Sequence, residues 1–439
     1  MQTGAEIEHN PAVPRTREYR NPWAWVPSLY LAEGIPYVVA MTISVVLYKR
    51  LGISNTDIAL YTSWLYLPWV IKPFWSPFVD MFARKRTWIL AAQILIGASF
   101  ACIALTIPAG RFFQFTMAFF WLMAFSSATH DIAADGFYML GMGQDLQAAF
   151  VGVRTLFYRI ATLAAQGGIV IIAGYLEQQG LGIARAWSIS FLLLCALFAC
   201  FFVYHFFVLP SPKSDRPAPR LSSRSIVSEY MAIIGLYFRR KDIVALLAFL
   251  LFYRFAESQL VKMIAPFLLD PRSKGGLGLT TAEVGLVYGT IGIIALSAGG
   301  LLGGYVIYRR GLKFWLWIMV FAMHLPDLAF VYLSQALPES IWLINAAIAL
   351  EQFGYGFGFT AYTMYMIMIS DGEFKTVFYA ISTGFMALGM MVPGMFSGWI
   401  QELVGYQNFF IWVVVSTLPG FIVPALVRID PNFGKRNSV

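Results

Sequence analysis

Ionisable side chains occur inside stretches of this sequence that are otherwise apolar. A charge in the hydrocarbon core of a membrane costs about 3 kcal/mol or more unless it pairs or faces water, so such residues usually have a function. The candidates for a path that binds a polar solute and protons are Glu33, Asp131, Asp135, Arg154, Arg159, Arg254, Glu257 and Glu351. We predict no catalytic residue and no metal site among them.

Asp131 and Asp135 lie four residues apart and therefore share one face of a helix. Arg154 and Arg159 follow in the next apolar stretch and can neutralise one or both of them. Carboxylates that face arginines can alternate between a paired and a protonated state, which proton-coupled transport requires. The alternative, that these charges only lock helices together as static pairs, stays open.

The second half of the chain has interior charges of its own. Glu257 occupies the place that corresponds to Glu33 in the first half, and Arg254 precedes it by three residues. Such a pair can satisfy itself on one helix, so a purely structural role weighs equally here. Glu351 begins a glycine-rich stretch whose glycines favour close helix packing, and we expect its carboxylate to face the same path.

A further set of charges suggests a gate. Asp80 lies close to Arg84 and Arg86 at the end of the second apolar stretch, where an acid can pair with bases and release them when the protein changes shape. Lys72 precedes this group on the same stretch. We predict gating roles for Lys72, Asp80, Arg84 and Arg86.

An enzymatic alternative rests on His130 and Asp135, whose H-x4-D spacing is used by some acyltransferases. Here the pair lies within a long apolar helix, so we predict that the chain is not an enzyme. His205 and His324 are interpreted as structural side chains. The chain has no G-x-x-x-x-G-K-[ST] loop, and its three cysteines show no metal-ligand spacing.

The composition indicates that these helices lie in a lipid bilayer. Of 439 residues, 59% are hydrophobic and 12% are charged, whereas roughly a quarter of the residues of a soluble domain are charged. A membrane span needs about 20 mostly apolar residues, so the length allows about twelve spans and no sizeable soluble domain. The predicted fold class is an all-α membrane protein.

Apolar runs long enough to span a membrane divide into six before and six after a polar middle segment. The runs are Trp23–Tyr48, Ile58–Phe82, Trp88–Pro108, Phe112–Leu140, Ala148–Leu176, Trp187–Leu209, Ile243–Leu269, Val284–Tyr308, Phe314–Leu333, Ile341–Ile369, Phe378–Ile400 and Phe409–Val427.

The basic residues predict the orientation. With an even number of spans, most of the bases fall on one side of the membrane and few fall on the other. The basic segments on that one side are the N-terminal segment, residues 84–86, the middle loop, residues 309–313 and residues 428–436. Loops rich in Lys and Arg stay in the cytoplasm. Both termini are therefore predicted to be cytoplasmic, and no nucleic-acid partner is needed to explain the formal charge of +8.

The two halves resemble each other. The segment 51–60, LGISNTDIAL, aligns with 277–286, LGLTTAEVGL, and basic loops follow both at nearly the same offset. Two six-span halves around a central substrate site are typical of major facilitator transporters. The predicted organisation is a tail at 1–22, a six-helix half at 23–209, a middle loop at 210–242, a second half at 243–429 and a tail at 430–439.

Longer motifs resemble one family. They are Gly34-Ile-Pro36, the run from Leu67 to Asp80, Ser127 to Asp135, Tyr158-Arg159, Glu351 to Gly358, Tyr379-Ala380 and Ala387-Leu-Gly389. Together they are similar to the AmpG-type muropeptide permeases of the major facilitator superfamily. The chain departs from that pattern at residues 136–139, where the family usually has an arginine, and at Arg154, which is an addition.

The resemblance implies a secondary active transporter that imports a cell-wall-derived muropeptide, or a related sugar-containing solute, across the inner membrane with protons. It implies the proton gradient as energy source, no cofactor, and a monomer in the lipid bilayer whose partners are protons and a small solute such as a glycopeptide. Related permeases carry siderophores or acetyl-CoA. Import of another solute and a membrane sensor without net flux remain alternatives.

Overall fold

The chain is almost entirely helical. A computed structural model describes residues 20–216, 223–372 and 374–435, and no β-strand occurs within those ranges. The helices are α1, 22–50; α2, Asn55–Trp64; α3, Leu67–Val70; α4, Lys72–Phe82; α5, Lys85–Thr106; α6, Phe112–Leu140; α7, 144–181; α8, Ile183–Val208; α9, Ser223–Phe238; α10, 243–269; α11, 281–310; α12, 312–336; α13, Ile341–Ile369; and α14, 375–426. The all-α prediction is confirmed.

Nine helices in the described ranges are long and apolar enough to cross a membrane. One of them, Lys375–Leu426, has 52 residues and turns at Gly405, whose φ is 76°. That length is more than one crossing needs, because a span takes about 20 residues. The segment 55–82 is divided into three short helices and is not among the nine, and neither is α13. The number twelve stays a prediction.

Several predicted spans coincide with helices. The boundaries of Phe112–Leu140, Ile243–Leu269 and Ile341–Ile369 are those of α6, α10 and α13. Uninterrupted apolar sequence satisfies its backbone polar groups within the helix, which the hydrocarbon core requires. The middle segment 210–242, predicted as a loop, contains the helix Ser223–Phe238.

The internal repeat appears as two equivalent helix starts. Ser54 caps α2 by accepting a hydrogen bond from the backbone N–H of Asp57. Thr280 caps α11 in the same way, and the Glu283 side chain completes a capping box. Ser or Thr at the N-cap with an acid three residues later is a strong signal for a helix start. The repeated sequence therefore encodes the same local structure in both halves.

Helix α1 positions the candidate site because it lies in the centre of the molecule. Its own residues are mostly apolar on all faces of the helix, and most of its side chains are buried. A helix that is apolar all round is a buried helix. Pro36 lies inside it and is followed by a wide turn at Val39–Ile43. Glu33 is thereby held in the protein interior, about one turn before Pro36.

Candidate functional site

A cavity of about 760 Å³ lies between the two halves. Of the residues predicted for the solute path or the gate, those that line it are Glu33, Lys72, Asp131, Asp135, Arg159 and Arg254. The lining extends to Lys85 at the start of α5, Leu140 at the end of α6 and Thr376 at the start of α14. The cavity therefore runs from the middle of the helices to one end of the bundle.

Glu33, Asp131 and Asp135 form an acidic trio on α1 and α6. One carboxylate oxygen of each lies within 4.8 Å of the others. Lys72 pairs with Asp131 at 2.5 Å, and Arg154 pairs with Asp135 at 2.9 Å. The third carboxylate, Glu33, has a buried oxygen without a hydrogen-bond partner in the described part of the chain. Two cations thus face three carboxylates, and one proton would balance the charge.

The same spacing would suit a metal ion, since three carboxylate oxygens converge. Lys72 and Arg154 already occupy two of the three carboxylates, so a metal ion would have to displace both cations. Calcium and magnesium, the divalent cations that prefer oxygen ligands, also need six or more ligands. This arrangement fits a proton better than a metal ion.

Arg159 and Arg254 line the cavity from opposite halves. Neither forms an ion pair with an Asp or Glu of the described residues. Arg254 lies over the rings of Tyr355 and Phe359, 5.1 and 4.8 Å from their centroids, and donates a hydrogen bond to the Tyr355 hydroxyl. Tyr37 and Tyr355 each interact electrostatically with both arginines, so the two cations face a common region. That region is suited to an anionic group.

Aromatic side chains form much of the remaining wall. They are Tyr37, Tyr66, Trp69, Tyr158, Tyr288, Tyr355, Phe359 and Tyr379. Tyr37 and Trp69 pack edge to face with centroids 5.1 Å apart. Tyr158 and Tyr379 belong to the motifs of the family resemblance, but the sequence did not indicate which aromatic residues line a cavity. The reason is that 17% of the chain is aromatic and most such side chains in a membrane protein face lipid or the core.

Glu257 and Glu351, predicted for the same path, are not among the residues that line the cavity. Both are fully buried behind its wall. Glu257 is one helical turn beyond Arg254, and Glu351 is one turn before Tyr355. The side chains of Arg254 and Tyr355 occupy the wall at these levels.

The end of the bundle opposite Lys85 is closed by polar contacts between the halves. Asp270 forms an ion pair with Lys49 of the first half at 2.7 Å. It also accepts a hydrogen bond at 2.6 Å from the hydroxyl of Tyr406, which belongs to the second half like Asp270 itself. Asn55 donates to Gln401 at 2.5 Å. Glu402 accepts hydrogen bonds from the backbone N–H of Asn55 at 2.8 Å and from Thr56 Oγ1 at 2.5 Å. We call this set the latch; it consists of Lys49, Asn55, Thr56, Asp270, Gln401, Glu402 and Tyr406.

Close backbone contact supports the latch. A Cβ added at Gly398 of α14 would lie 1.9 Å from the carbonyl oxygen of Asn55 in the other half. Such a distance cannot be accommodated without moving one helix. Only glycine therefore permits α2 and α14 to meet at this point.

We predict that Gly398→Ala lowers the initial rate of solute uptake by about tenfold, since overpacking costs about 1–3 kcal/mol. The substitution adds only the Cβ that would clash, and so destabilises the state in which the latch is closed. Gly304→Ala is the matched control, because a Cβ there meets nothing within 4 Å. Uptake by intact cells, normalised to the amount of membrane protein, measures both. Equal rates for the two variants would contradict the prediction.

The structure describes the side chains of three of the four predicted gating residues. Lys72 lies inside the cavity, paired with Asp131. Arg84 is exposed, and Arg86 donates to the carbonyl oxygen of Phe206 at 2.6 Å. The side chain of Asp80 lies outside what the structure describes. A shared gate of these four residues is therefore still a prediction.

Asp215 of the middle segment contributes a contact that the sequence did not reveal. Its carboxylate accepts hydrogen bonds from the backbone N–H groups of Lys85 at 2.7 Å and Arg86 at 3.1 Å. A carboxylate stabilises the free N–H groups at a helix start. The middle segment is thereby tied to the first turn of α5.

His205, which was predicted to be structural, forms a buried chain with Gln93 and His130. His130 Nε2 lies 3.1 Å from Gln93 Nε2, and His205 Nδ1 lies 2.8 Å from the same atom. Ser28 contacts His205 Nε2 at 2.9 Å. Asp135, the proposed partner of His130 in an acyltransferase, pairs with Arg154 instead.

Comparisons with known proteins find similar transport proteins over most of the chain. The family model for the Major Facilitator Superfamily matches residues 29–372. The "Putative transporter AmpG 4" of Rickettsia felis is 25% identical over 410 residues, covering 90% of this chain and 94% of its own length. The "Anhydromuropeptide permease" of Escherichia coli (strain K12) is 25% identical over 425 residues, covering 93% of this chain and 82% of its own.

Solved structures share the fold. A D-xylose–proton symporter superposes with a TM-score of 0.71 at 12% identity, covering 94% of this chain and 98% of the symporter. A bacterial homologue of the human drug peptide transporters PepT1 and PepT2 superposes with a TM-score of 0.67 at 14% identity, covering 91% and 96%. With the family model extending over most of its helices, the chain belongs to the Major Facilitator Superfamily.

Proposed function

We propose that the protein is a secondary active transporter of the bacterial inner membrane. It imports an anhydromuropeptide or a related sugar-containing solute together with protons, and it is not an enzyme. The observation that carries this proposal is the charged cavity between the two halves, where two arginines without carboxylate partners face an acidic trio. The names of the AmpG and anhydromuropeptide permease relatives supply the solute class.

The solute chemistry follows from the cavity wall. A muropeptide carries peptide carboxylates, and Arg159 and Arg254 offer donor groups that suit a carboxylate. Its sugar rings present apolar faces that can pack on the aromatic side chains of the wall. The volume of about 760 Å³ lies in the range of small-molecule sites. Because the arginines belong to opposite halves, a bound solute would draw the halves together.

The acidic trio supports the proton coupling. Its carboxylates outnumber the paired cations by one, so the trio can take up and release a proton while Lys72 and Arg154 stay charged. The distribution of basic loops supports cytoplasmic termini. In that orientation the cavity opens to the cytoplasm and the latch closes the periplasmic side, as expected of a transporter that has just admitted its solute.

Uptake by intact cells tests the transport proposal. Cells that express the protein are expected to accumulate labelled anhydromuropeptide faster than cells without it. The purified protein in detergent provides a second measurement, the dissociation constant for the same solute. Binding without uptake would overturn the transporter proposal in favour of a sensor, and absence of binding would overturn the proposed solute class.

A further inference from the structure

A second group of ionisable side chains is buried inside the second half. Glu257 lies on α10, His324 and Asp327 lie at a turn within α12, and Glu351 lies on α13. Their exposures are 0%, 3%, 1% and 0%, respectively. None of the four lines the central cavity. We call this group the buried cluster, and nothing in the solute site described above uses it.

The members of the buried cluster lack ordinary partners. Both carboxylate oxygens of Glu257 and of Asp327, one oxygen of Glu351 and both ring nitrogens of His324 have no hydrogen-bond partner among the described residues. The contacts present are Gln352 Nε2 to Glu351 Oε2 at 2.9 Å and a longer approach of His324 Nδ1 to Asp327 Oδ2 at 3.9 Å. An ionised carboxylate left in such surroundings is strongly unfavourable.

Basic side chains near the buried cluster point elsewhere. Arg254 is three residues before Glu257 and is the nearest arginine on that helix, but its guanidinium is directed to the rings of Tyr355 and Phe359. Lys262 donates to Thr62 in the other half. The other titratable groups that face the cluster are tyrosines. Tyr288 of α11 interacts electrostatically with Glu257 and Glu351, and Tyr355 of α13 interacts with Glu257. The ring of Tyr253 lies 6.5 Å from that of His324. The carboxyl groups are thus left to be neutralised by something other than an ion pair.

Protons are the species that can neutralise the carboxyl groups of the buried cluster. In the described ranges, the acidic trio has ligand atoms that lie close enough together to hold a metal ion, within 4.8 Å of one another. The ligand atoms of the buried cluster do not lie that close together. A carboxyl group needs no such convergence to hold a proton. His324, which lies beside Asp327 and close to the backbone of Tyr253, offers a second position for the same proton.

We propose that Glu257, His324, Asp327 and Glu351 form a second proton-binding site, which controls whether Arg254 is available to the solute. While Glu257 holds a proton, Arg254 faces the cavity and can bind a carboxylate. When that proton leaves for water, the new carboxylate of Glu257 attracts Arg254 from three residues away and competes with the solute. This inference rests on the proposed proton-coupled uptake.

The proposal predicts a sign for the pH dependence of solute binding. The affinity of the wild-type protein rises as the pH falls, because protonated Glu257 leaves Arg254 free. In Glu257→Gln the neutral amide cannot compete, so the dissociation constant becomes nearly independent of pH between about pH 6 and about pH 8. Gradient-driven accumulation by this variant and by Glu351→Gln falls about tenfold or more. Glu339→Gln, at an exposed acid, is the control and keeps the wild-type pH dependence.

Binding by purified protein and accumulation in proteoliposomes are measured for wild type and variants. A Glu257→Gln protein that retains the wild-type pH dependence overturns the inference. Loss of gradient-driven accumulation in the wild type itself overturns the proposed function instead.

Labelling of the wild-type protein with a hydrophobic carbodiimide, which reacts with protonated buried carboxyl groups, provides a measurement that needs no variant. Peptide mass spectrometry is expected to locate the label on Glu257, Asp327 or Glu351, with less label at higher pH. Absence of label from all three residues overturns the inference.

Discussion

Replacing Arg254 with glutamine is expected to weaken binding of a carboxylate-bearing solute by about tenfold to a hundredfold, since a hydrogen bond to a charged group contributes about 1.5–3 kcal/mol. Arg254 is almost fully buried, lines the cavity and has no carboxylate partner among the described residues. Arg159→Gln, in the opposite half, is expected to have an effect of similar size. The measurement is the dissociation constant of each purified variant.

The chemistry of the solute supplies the sharper control for these arginines. An analogue whose carboxylates are converted to amides should bind the wild-type protein weakly, and the two variants should bind it no more weakly than the wild type does. Arg185→Gln, at an exposed position on α8, controls for loss of positive charge. If the variants discriminate between acid and amide as the wild type does, the arginines do not hold the solute carboxylate.

Replacing Asp131 with asparagine is expected to lower accumulation driven by a pH gradient by about tenfold or more, because it removes a carboxylate that exchanges a proton and leaves Lys72 in a partly buried site without its partner. The measurement compares solute accumulation with and without the gradient. The effect on accumulation should exceed the effect on binding, since Asp131 belongs to the trio and pairs with Lys72, not with Arg159 or Arg254.

A double variant separates proton exchange from a static ion pair. Lys72→Gln combined with Asp131→Asn removes both charges and therefore leaves no unpaired charge behind. If the pair only holds α4 against α6, the double variant should recover accumulation that the single variants lose. If the trio exchanges protons, the double variant should be as stable as the wild type and still fail to accumulate solute. Recovery of accumulation would contradict the proposed role of Asp131.

The fold could be predicted from the sequence because a lipid environment permits few kinds of structure. A hydrocarbon environment demands long apolar helices, and uninterrupted apolar runs such as 112–140 and 341–369 have the same boundaries as the helices. The broken segment was predicted as one run, Ile58–Phe82, because its prolines and the breaks at 65–66 and 71 interrupt the helix without making the sequence polar. The helix Ser223–Phe238 was missed because its flanking segments are polar.

The ionisable residues of the interior could be identified from the sequence, but which of them lie close together could not be predicted. Asp131 and Asp135 were expected to share a face, and both do line the cavity with Glu33. Nothing in the spacing showed that Glu257 and Glu351 lie behind the wall, because that depends on which way each helix is rotated against its neighbours. The combination of Arg159 and Arg254 likewise arises only when the two halves pack together.

The latch was missed for a different reason. Lys49 and Asp270 lie at helix ends, and Glu402 lies shortly before the turn at Gly405. Charges are ordinary and solvated at such positions, so these residue types carried no signal. Their importance comes from partners in the other half, such as the contact of Glu402 with the first turn of α2. Long-range pairing of this kind is not visible in local sequence patterns.

The most direct test of the central claim is uptake by proteoliposomes that contain the purified protein as their sole protein. With the external medium more acidic than the interior, labelled anhydromuropeptide is expected to accumulate above its external concentration, and a proton ionophore is expected to abolish the accumulation. Uptake that is the same with and without the gradient, or no uptake at all, would contradict proton-coupled transport by this chain.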